Sequence, residues 1–293
     1  MNKLIQELER LYFLPNDQRY RQVVEEEGAN ADQAEALLTY SEISDSLAGK
    51  RGIALKLLSF KQGVRTMVIG FARAGDWSHV ASLCQVIQGD LEWPVPALSV
   101  SPKKGFQVWL SLAEPVVPEQ AEAFLNALRH KYLSEIPLSR VTLQPSADDS
   151  AGVVALVPSY RQACQKWSAF IDPSMGSMFA DELGLEMAPN LERQADMLAS
   201  LKSITTRDFQ RVLRLLHADV AVGVSYAEGE LPPNTIERQS KSELRLSNHF
   251  TDPETFLLAV MNDSSVSIAE RIHAAEALLP YLGSSQKTEN KAR

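Results

Sequence analysis

Cysteine and long apolar runs are both scarce in this sequence of 293 residues. The two cysteines, Cys84 and Cys164, do not have the spacing of a metal site, which excludes a disulfide-rich scaffold and a zinc ribbon. No apolar run approaches the roughly 20 residues that a membrane-spanning helix needs. The amphipathic N-terminus contains Glu7 and Glu9, so we expect no signal peptide there. These absences together predict a soluble, cytoplasmic protein.

Local signatures of catalysis are also missing. The dipeptide Gly49-Lys50 lacks the upstream glycine of a phosphate-binding P-loop, and no Gly-x-Ser-x-Gly elbow marks a nucleophile. The five histidines are scattered without the spacing of a metal site. Asp76 and His79 fall at the start of a predicted helix, where Asp ordinarily serves as a cap. Only chemistry assembled from residues far apart in the sequence stays open.

Acidic residues are in excess over the whole chain but absent from one stretch. The formal net charge of −8 argues against binding to nucleic acid by bulk electrostatics. Between Ala48 and Gly75, however, every charged residue is basic, and these residues are Lys50, Arg51, Lys56, Lys61, Arg65 and Arg73. The same stretch predicts two strands, 53–60 and 64–72, that form a hairpin. Its basic residues indicate either a phosphate-contacting ridge or an edge hairpin protected against association with other sheets.

The stretch from Thr66 to Leu112 has the most regular pattern. A short apolar run, 67–72, ends before Gly75, and a segment with helical spacing follows. Two further β-rich runs, 97–100 and 106–112, are separated by a Ser-Pro-Lys-Lys-Gly turn. This order predicts a strand–helix–strand–turn–strand unit, in which the helix buries its apolar face on the sheet.

The second half of this stretch carries a resemblance to a known family. From Ser101 it reads Ser-Pro-Lys-Lys-Gly-Phe-Gln-Val-Trp-Leu-Ser-Leu-Ala-Glu-Pro-Val, which resembles the second motif of the archaeo-eukaryotic primase (prim–pol) superfamily of plasmids, phages and transposons. The preceding strand matches the first motif in position, and VTLQPSADDSAGVVALVPSYRQACQKWSAFID is similar to the third region. The match covers roughly residues 50 to 175. It implies an α/β (α+β) fold with an RNA-recognition-motif-like prim–pol core, a mainly antiparallel sheet and helical N-terminal and C-terminal extensions.

The sequence departs from the family at the catalytic positions. Gly70 and Ala72 stand where the family has two metal-binding aspartates, Gln107 stands where it has a catalytic histidine, and the third acidic position falls near Thr142. Phosphoryl transfer by two divalent ions needs hard oxygen ligands, so we expect a catalytically inactive protein without a cofactor. One alternative is an active primase/polymerase, or a primase subunit, whose Mg²⁺ or Mn²⁺ is held by three other residues, Asp76, Asp148 and Asp149.

The resemblance and the basic hairpin together predict a primase-like binding or accessory protein of a mobile genetic element. Its partner would be single-stranded DNA or RNA, or a replication, transfer or defence protein of the same element. The predicted phosphate contacts are Lys56, Lys61, Arg65, Arg73, Lys103 and Lys104. Because side chains alternate along a strand, Gln107 and Trp109 share one face, so Trp109 is preferred to Phe106 as the stacking residue. A structural protein-interaction subunit is the other alternative, and the oligomeric state is open.

Composition and periodicity divide the chain into six parts. These are a helical N-terminal extension (1–47), the degenerate prim–pol-like domain (48–175), a helical block packed on it (176–222), a linker (223–248), a C-terminal helical hairpin (249–283) and a disordered tail (284–293). The hairpin resembles a helical segment of phage and plasmid proteins. The extension is predicted to contain helices at 2–13, 18–27 and 31–47. The domain is predicted to continue with a helix at 118–133 and strands near 140–143, 153–157 and 167–171.

Overall fold

Antiparallel sheets and α-helices alternate along the chain in the computed structural model, which describes residues 1–23, 35–59, 61, 63–146 and 153–225, without the side chains of 217–225. The helices of this part are α1 (Asn2–Leu11), α2 (Tyr40–Leu47), α3 (Trp77–Gly89), α4 (Pro118–Tyr132), α5 (Leu191–Ala199) and α6 (Thr206–Ser225). The strands are β1 (Arg19–Val23), β2 (Ala36–Leu37), β3 (Gly52–Lys56), β4 (Leu58–Ser59), β5 (Gly63–Phe71), β6 (Ala97–Ser101), β7 (Gly105–Val116), β8 (Val141–Gln144), β9 (Val153–Ala155), β10 (Ser159–Arg161) and β11 (Lys166–Ile171). Short 3₁₀ helices lie at Ala74–Asp76, Leu138–Arg140 and Pro173–Phe179.

The order of the central strands defines the fold. Along the chain the core reads β5-α3-β6-β7-α4-β8, and in the sheet its strands lie in the order β8-β5-β7-β6 with every neighbour antiparallel. This is the split β-α-β-β-α-β arrangement, and RNA-recognition motifs have a four-stranded sheet of this kind. The predicted fold class is therefore confirmed. Strands β11 and β10 extend the sheet beyond β6, while β4 pairs with the start of β5.

Helices cover one face of this sheet. Ile69 of β5 and Val108 of β7 are fully buried there, against Leu83 of α3 and Phe124 of α4. Helix α3 forms because its apolar residues recur every three or four positions and so share one side. Those residues are Val80, Leu83, Cys84 and Ile87, and all four are buried. The helix predicted after Gly75 is confirmed.

The opposite face of the sheet carries the N-terminal part of the chain. Helix α1 buries Leu4 and Leu8 in a second apolar cluster, together with Trp109 from the large sheet and Leu55 from a four-stranded sheet. That smaller sheet has the order β2-β1-β3-β9. The central strands of the large sheet are thus covered on both faces over much of their length.

The helix predicted at 18–27 is wrong in the residues that the structure describes. Residues 19–23 form β1, in which Tyr20 lies opposite Leu55 of β3. These residues form a strand rather than a helix because the strand conformation packs Tyr20 against the second apolar cluster and pairs the backbone of β1 with that of β3. The helix predicted at 31–47 is correct only from Tyr40, since Ala36–Leu37 pairs with β1 as β2.

The predicted basic hairpin is also shorter than expected. The strand predicted at 53–60 is interrupted at Leu57, and its first part, β3, pairs with β1 and β9 in the smaller sheet. Only β4 pairs with β5, through Leu58 opposite Val64 and Ser59 opposite Gly63. The chain therefore crosses from one sheet to the other at Leu57, whose side chain is buried.

The remaining predicted elements of the domain are present. The helix predicted at 118–133 is α4, and the strands predicted near 140–143, 153–157 and 167–171 are β8, β9 and β11. The predicted linker beyond residue 225, the C-terminal hairpin at 249–283 and the tail lie outside the described residues. None of the helices in the described part is both long and apolar enough to cross a membrane.

Candidate nucleic-acid interface

Three of the four residues that the sequence resemblance aligns with catalytic positions lie side by side across the sheet. Gly70 of β5 faces Gln107 of β7 on one side and Thr142 of β8 on the other. Ala72 follows β5 directly, and its backbone amide donates to the carbonyl of Arg140 at 2.9 Å. The fold therefore brings together positions that are as far apart in sequence as 70 and 142.

The chemistry of this row is neutral. Gln107 is only 7% exposed, and its Oε1 accepts a hydrogen bond from the hydroxyl of Ser99 at 3.4 Å. Thr142 is exposed, and its hydroxyl lies so close to Gly70 that a Cβ atom on residue 70 would overlap it. With the hydroxyl of Ser99, which lies opposite Gln107, the row presents one amide and two hydroxyls but no carboxylate.

A pair of divalent cations does not fit these residues. Gly70 and Ala72 supply no side-chain ligand, and the amide and hydroxyls of the row carry no charge to balance two ions. Within the described ranges, no group of three or more His, Cys, Asp or Glu residues is placed to hold a metal ion. Two of the alternative ligands, Asp148 and Asp149, lie outside those ranges.

The third alternative ligand, Asp76, is occupied by protein partners. Its side chain is fully buried, and Oδ1 is paired with the guanidinium of Arg140. Its Oδ2 accepts the backbone amide of Arg73 at 3.1 Å. Asp76 thus closes the 3₁₀ turn after β5 and ties it to the segment before β8. It also stands at the N-cap position of α3, as the sequence predicted, but its side chain makes no cap hydrogen bond to that helix.

The predicted phosphate ridge is divided between two ends of the sheet. Lys61 and Arg65 lie at the start of β5, whereas Arg73 follows its last residue. Nine residues of strand separate these ends by roughly 30 Å. Because Phe71 lies opposite Phe106 and Ser101 opposite Gly105, the turn with Lys103 and Lys104 belongs to the Arg73 end.

Two of the predicted phosphate contacts have structural partners. The ammonium of Lys56 lies 2.5 Å from a carboxylate oxygen of Glu35 and is mostly buried. Burial alone would raise the pKa of Glu35, but hydrogen bonds from Lys56 and Arg21 hold it below its usual value. The guanidinium of Arg65 donates to the carbonyls of Phe13 at 2.5 Å and of Arg10 at 2.6 Å. It therefore caps the C-terminal end of α1.

Trp109 cannot stack on a base in this structure, and that prediction is wrong. Its side chain is 2% exposed and packs against Tyr12 and Phe170, with ring centroids 5.3 Å and 5.8 Å away. The indole N–H donates to the hydroxyl of Ser99 at 2.8 Å. Trp109 does share a face with Gln107, as strand alternation predicted, but α1 and β11 cover that face at Trp109.

One end of the large sheet is rich in exposed cations. Arg73, Lys103 and Lys104 are exposed there, and the ends of β10 and β11 add two residues that sequence reasoning missed, Arg161 and Lys166, which lie opposite each other. Lys166 is paired with Glu182. The sequence places Arg161 shortly before a predicted strand, which is a weak indication of a basic residue at a sheet end. Its position at the same end as Lys103 follows only from the pairing of β11 with β6.

We call this group, Arg73, Lys103, Lys104 and Arg161, the cationic end. The β6–β7 turn is fixed there because Gly105 has a φ of +69° and approaches the carbonyl of Phe71 so closely that a Cβ atom would overlap it. This contact holds Lys103 and Lys104 beside the chain that leads to Arg73. The neutral row of Gly70, Gln107 and Thr142 lies within about two residues, or roughly 7 Å along the strands, of the same end.

Comparison with known proteins finds three solved structures to which this chain is similar. The AEP domain of the primase-polymerase of cyanophage S-2L is 11% identical, over 67% of this chain and 97% of that one, with a TM-score of 0.42. The polymerase domain of Ligase D from Mycobacterium tuberculosis, in complex with DNA, is 12% identical, over 67% and 85%, with a TM-score of 0.39. The primase RepB′ is 11% identical, over 97% and 88%, with a TM-score of 0.38. No protein-family model and no curated protein sequence matches the chain.

Proposed function

We propose that this chain is a catalytically inactive, primase-like protein that binds single-stranded DNA or RNA as an accessory factor of a mobile genetic element. The observation that carries the proposal is the cationic end of the large sheet. It lies beside a row of residues that has no carboxylate at the positions where the resemblance implies the ligands of metal ions.

Charge supports binding at this end. The chain as a whole has a formal charge of −8, so a cluster of exposed basic residues is not what its average composition predicts. Glu182, at the same end, is paired with Lys166. Lys103 and Lys104 lie in the β6–β7 turn and Arg73 follows β5, and the fold brings these two connections to the same end of the sheet. Lysine and arginine side chains that neutralise phosphates release counterions, and this release supplies most of the affinity of sequence-independent binding.

The neutral row supports the lack of catalysis. Transfer of a phosphoryl group depends on cations and metal ions that stabilise the charge of the transition state. Gly70, Ala72, Gln107 and Thr142 hold none of the charges that would anchor those ions. A strand of nucleic acid at the cationic end would therefore be held but not extended.

The test is the salt dependence of single-strand binding, measured by fluorescence anisotropy with a labelled oligonucleotide. We expect weak binding that falls as salt rises, and a double variant Lys103→Gln/Lys104→Gln with a log–log salt slope lower by about 0.7 for each phosphate that is no longer neutralised. The matched control is Lys61→Gln/Lys202→Gln, which removes the same charge from two exposed lysines elsewhere. Equal reductions of affinity in both double variants, or no reduction in either, would remove the cationic end from the account.

A primer-synthesis assay tests the second half of the proposal. With a template, nucleotides and Mg²⁺ or Mn²⁺, we expect no primer from the purified chain. Template-dependent synthesis that disappears in Asp148→Ala or Asp149→Ala would instead establish the alternative of a rebuilt metal site.

A further inference from the structure

A polar cavity of about 500 Å³ lies where the smaller sheet meets the edge strand β10. Its walls are the end of β1, the segment between α2 and β3, and the strand β10 with the residue after it. The described lining residues are Gln22, Val23, Gly49, Lys50, Arg51, Gly52, Ile53, Ala155, Ser159, Tyr160, Arg161 and Gln162. A cavity of this size matches the lower half of the range for small-molecule sites, about 300–1,000 Å³.

The cavity is cationic. Three of its described lining residues, Lys50, Arg51 and Arg161, carry positive charge, and none of those lining residues is acidic. A second cavity of about 500 Å³, near the end of α1, differs in this respect because Glu9 and Arg65 both line it, beside apolar residues such as Phe13. Its described lining therefore has charges of both signs, whereas that of the first cavity has only positive ones.

Two of the three cations form ion pairs with the same carboxylate. Asp45 of α2 pairs with Lys50 through Oδ1 and with Arg51 through Oδ2, each at 3.1 Å. Gly49 lies before them with a φ of +73°, and a Cβ atom there would come within 2.7 Å of the Trp167 ring. The backbone at Gly49 is thus packed against β11, which places the segment that carries Lys50 and Arg51 at the cavity, while the two side chains themselves stay partly exposed.

The third cation faces them from β10. Arg161 is partly buried, and within the described part of the chain its guanidinium has no carboxylate partner. The preceding Tyr160 also lines the cavity and is held against Trp167, with ring centroids 5.2 Å apart. A guanidinium binds phosphate oxygens in a bidentate manner, and a fixed aromatic ring offers a surface for a base.

We infer that this cavity binds a phosphorylated ligand of mononucleotide size, with the phosphate between Arg161 and the segment 50–51. The choice of a nucleotide over another organic phosphate rests on the proposed function. The nucleotide is either free or part of a bound strand, because Arg161 belongs both to the cavity and to the cationic end.

The experiment is a calorimetric titration of the full chain with ADP, with pyrophosphate and with an oligothymidylate of about 16 nucleotides. We expect ADP to bind, and Arg161→Gln to weaken its binding by about tenfold or more, the effect of removing a hydrogen bond to a charged group. Arg207→Gln, which removes the same charge from the exposed first turn of α6, should leave ADP binding unchanged. Urea unfolding checks that each variant is folded, and Arg51→Gln replaces Arg161→Gln if the latter is not.

ADP and the oligonucleotide separate the possible outcomes. Pyrophosphate that does not displace ADP also overturns the inference, because ADP would then be held elsewhere than at the phosphate contacts. Competition between ADP and the oligonucleotide indicates a nucleotide of the strand in the cavity, and independent binding indicates a free nucleotide; both support the inference. Absence of ADP binding at millimolar concentration overturns the inference, and the proposed function stands if the oligonucleotide still binds through Lys103 and Lys104. If ADP binds but the oligonucleotide does not, the inference about the cavity stands and the proposed function is contradicted. Equal binding of ADP by the Arg161 and Arg207 variants also overturns the inference.

Discussion

Replacing Arg65 with methionine removes the cation that holds the end of α1 to the large sheet. The last carbonyls of a helix have no partner within the helix. Arg65 donates to that of Arg10 at 2.6 Å and to the carbonyl of Phe13, two residues beyond the end of α1, at 2.5 Å. Burial, and to a smaller degree the neighbouring Arg10, lowers the pKa of Arg65 below its usual value. Methionine keeps much of the aliphatic stem and none of the donors, so the substitution isolates the hydrogen bonds.

The expected loss of stability follows from these hydrogen bonds. A hydrogen bond to a charged group contributes about 1.5–3 kcal/mol, and a cation at a helix C-terminus adds about 0.3–1 kcal/mol. Arg65 is partly exposed, so water compensates for part of the loss, and we expect unfolding to become easier by about 2–3 kcal/mol in total. With a urea dependence of about 2–3 kcal/mol per molar, the midpoint of unfolding falls by about 1 M.

Tryptophan fluorescence is the natural assay, because all four tryptophans, Trp77, Trp93, Trp109 and Trp167, lie in the described part of the chain. Lys61→Met is the matched control, since Lys61 is exposed in the short turn before β5 and should cost less than about 0.5 kcal/mol. An Arg65→Met variant with an unchanged midpoint but weakened single-strand binding would refute the capping role. It would restore Arg65 as the phosphate contact that the sequence predicted.

Two further substitutions or reagents test the core. Trp109→Ala should destabilise the chain by about 3–5 kcal/mol, measured by the same unfolding curves, and a destabilisation below about 1 kcal/mol would contradict its burial between α1 and the sheet. Burial raises the pKa of the Cys84 thiol to about 12, so a thiol reagent should modify only the exposed Cys164 in the native chain and both cysteines in denaturant. The unfolded thiol ionises first, so the contribution of Cys84 to stability is full below about pH 8.5 and falls as the pH rises from there towards 12.

The sequence predicted the central unit because its signals are local. The apolar positions of α3 repeat every three or four residues, and Gly75 and Gly105 mark its two turns, so the order of strand, helix and strand can be found without any long-range contact. The row of Gly70, Gln107 and Thr142 could also be expected, because the resemblance fixes which positions meet. In each case the signal lies within a few residues of the position that it describes.

The roles of the basic residues could not be predicted in the same way. Arg65 caps carbonyls at positions 10 and 13, and Lys56 pairs with Glu35. Arg161 lines the same cavity as Lys50 only because β10 pairs with β11 at the edge of the sheet. The clustering of basic residues in the sequence therefore identified candidates for phosphate contacts. It could not show which of them, such as Lys56 and Arg65, form hydrogen bonds or ion pairs within the fold.

Gly70 is packed so closely by its neighbour in the sheet that a side chain at this position has little room. A Cβ atom on residue 70 would overlap the Thr142 hydroxyl, and a threonine side chain has few rotamers through which to move away. Since Thr142 sits directly opposite Gly70 in the β5–β8 pairing, an acidic side chain at 70 would need another rotamer or a smaller residue at 142, or a shift of β8. The two positions therefore constrain each other, because β8 packs directly on the glycine. An acidic residue at position 70 is thus expected to lower the stability of the sheet unless the side chain at position 142 moves or changes with it.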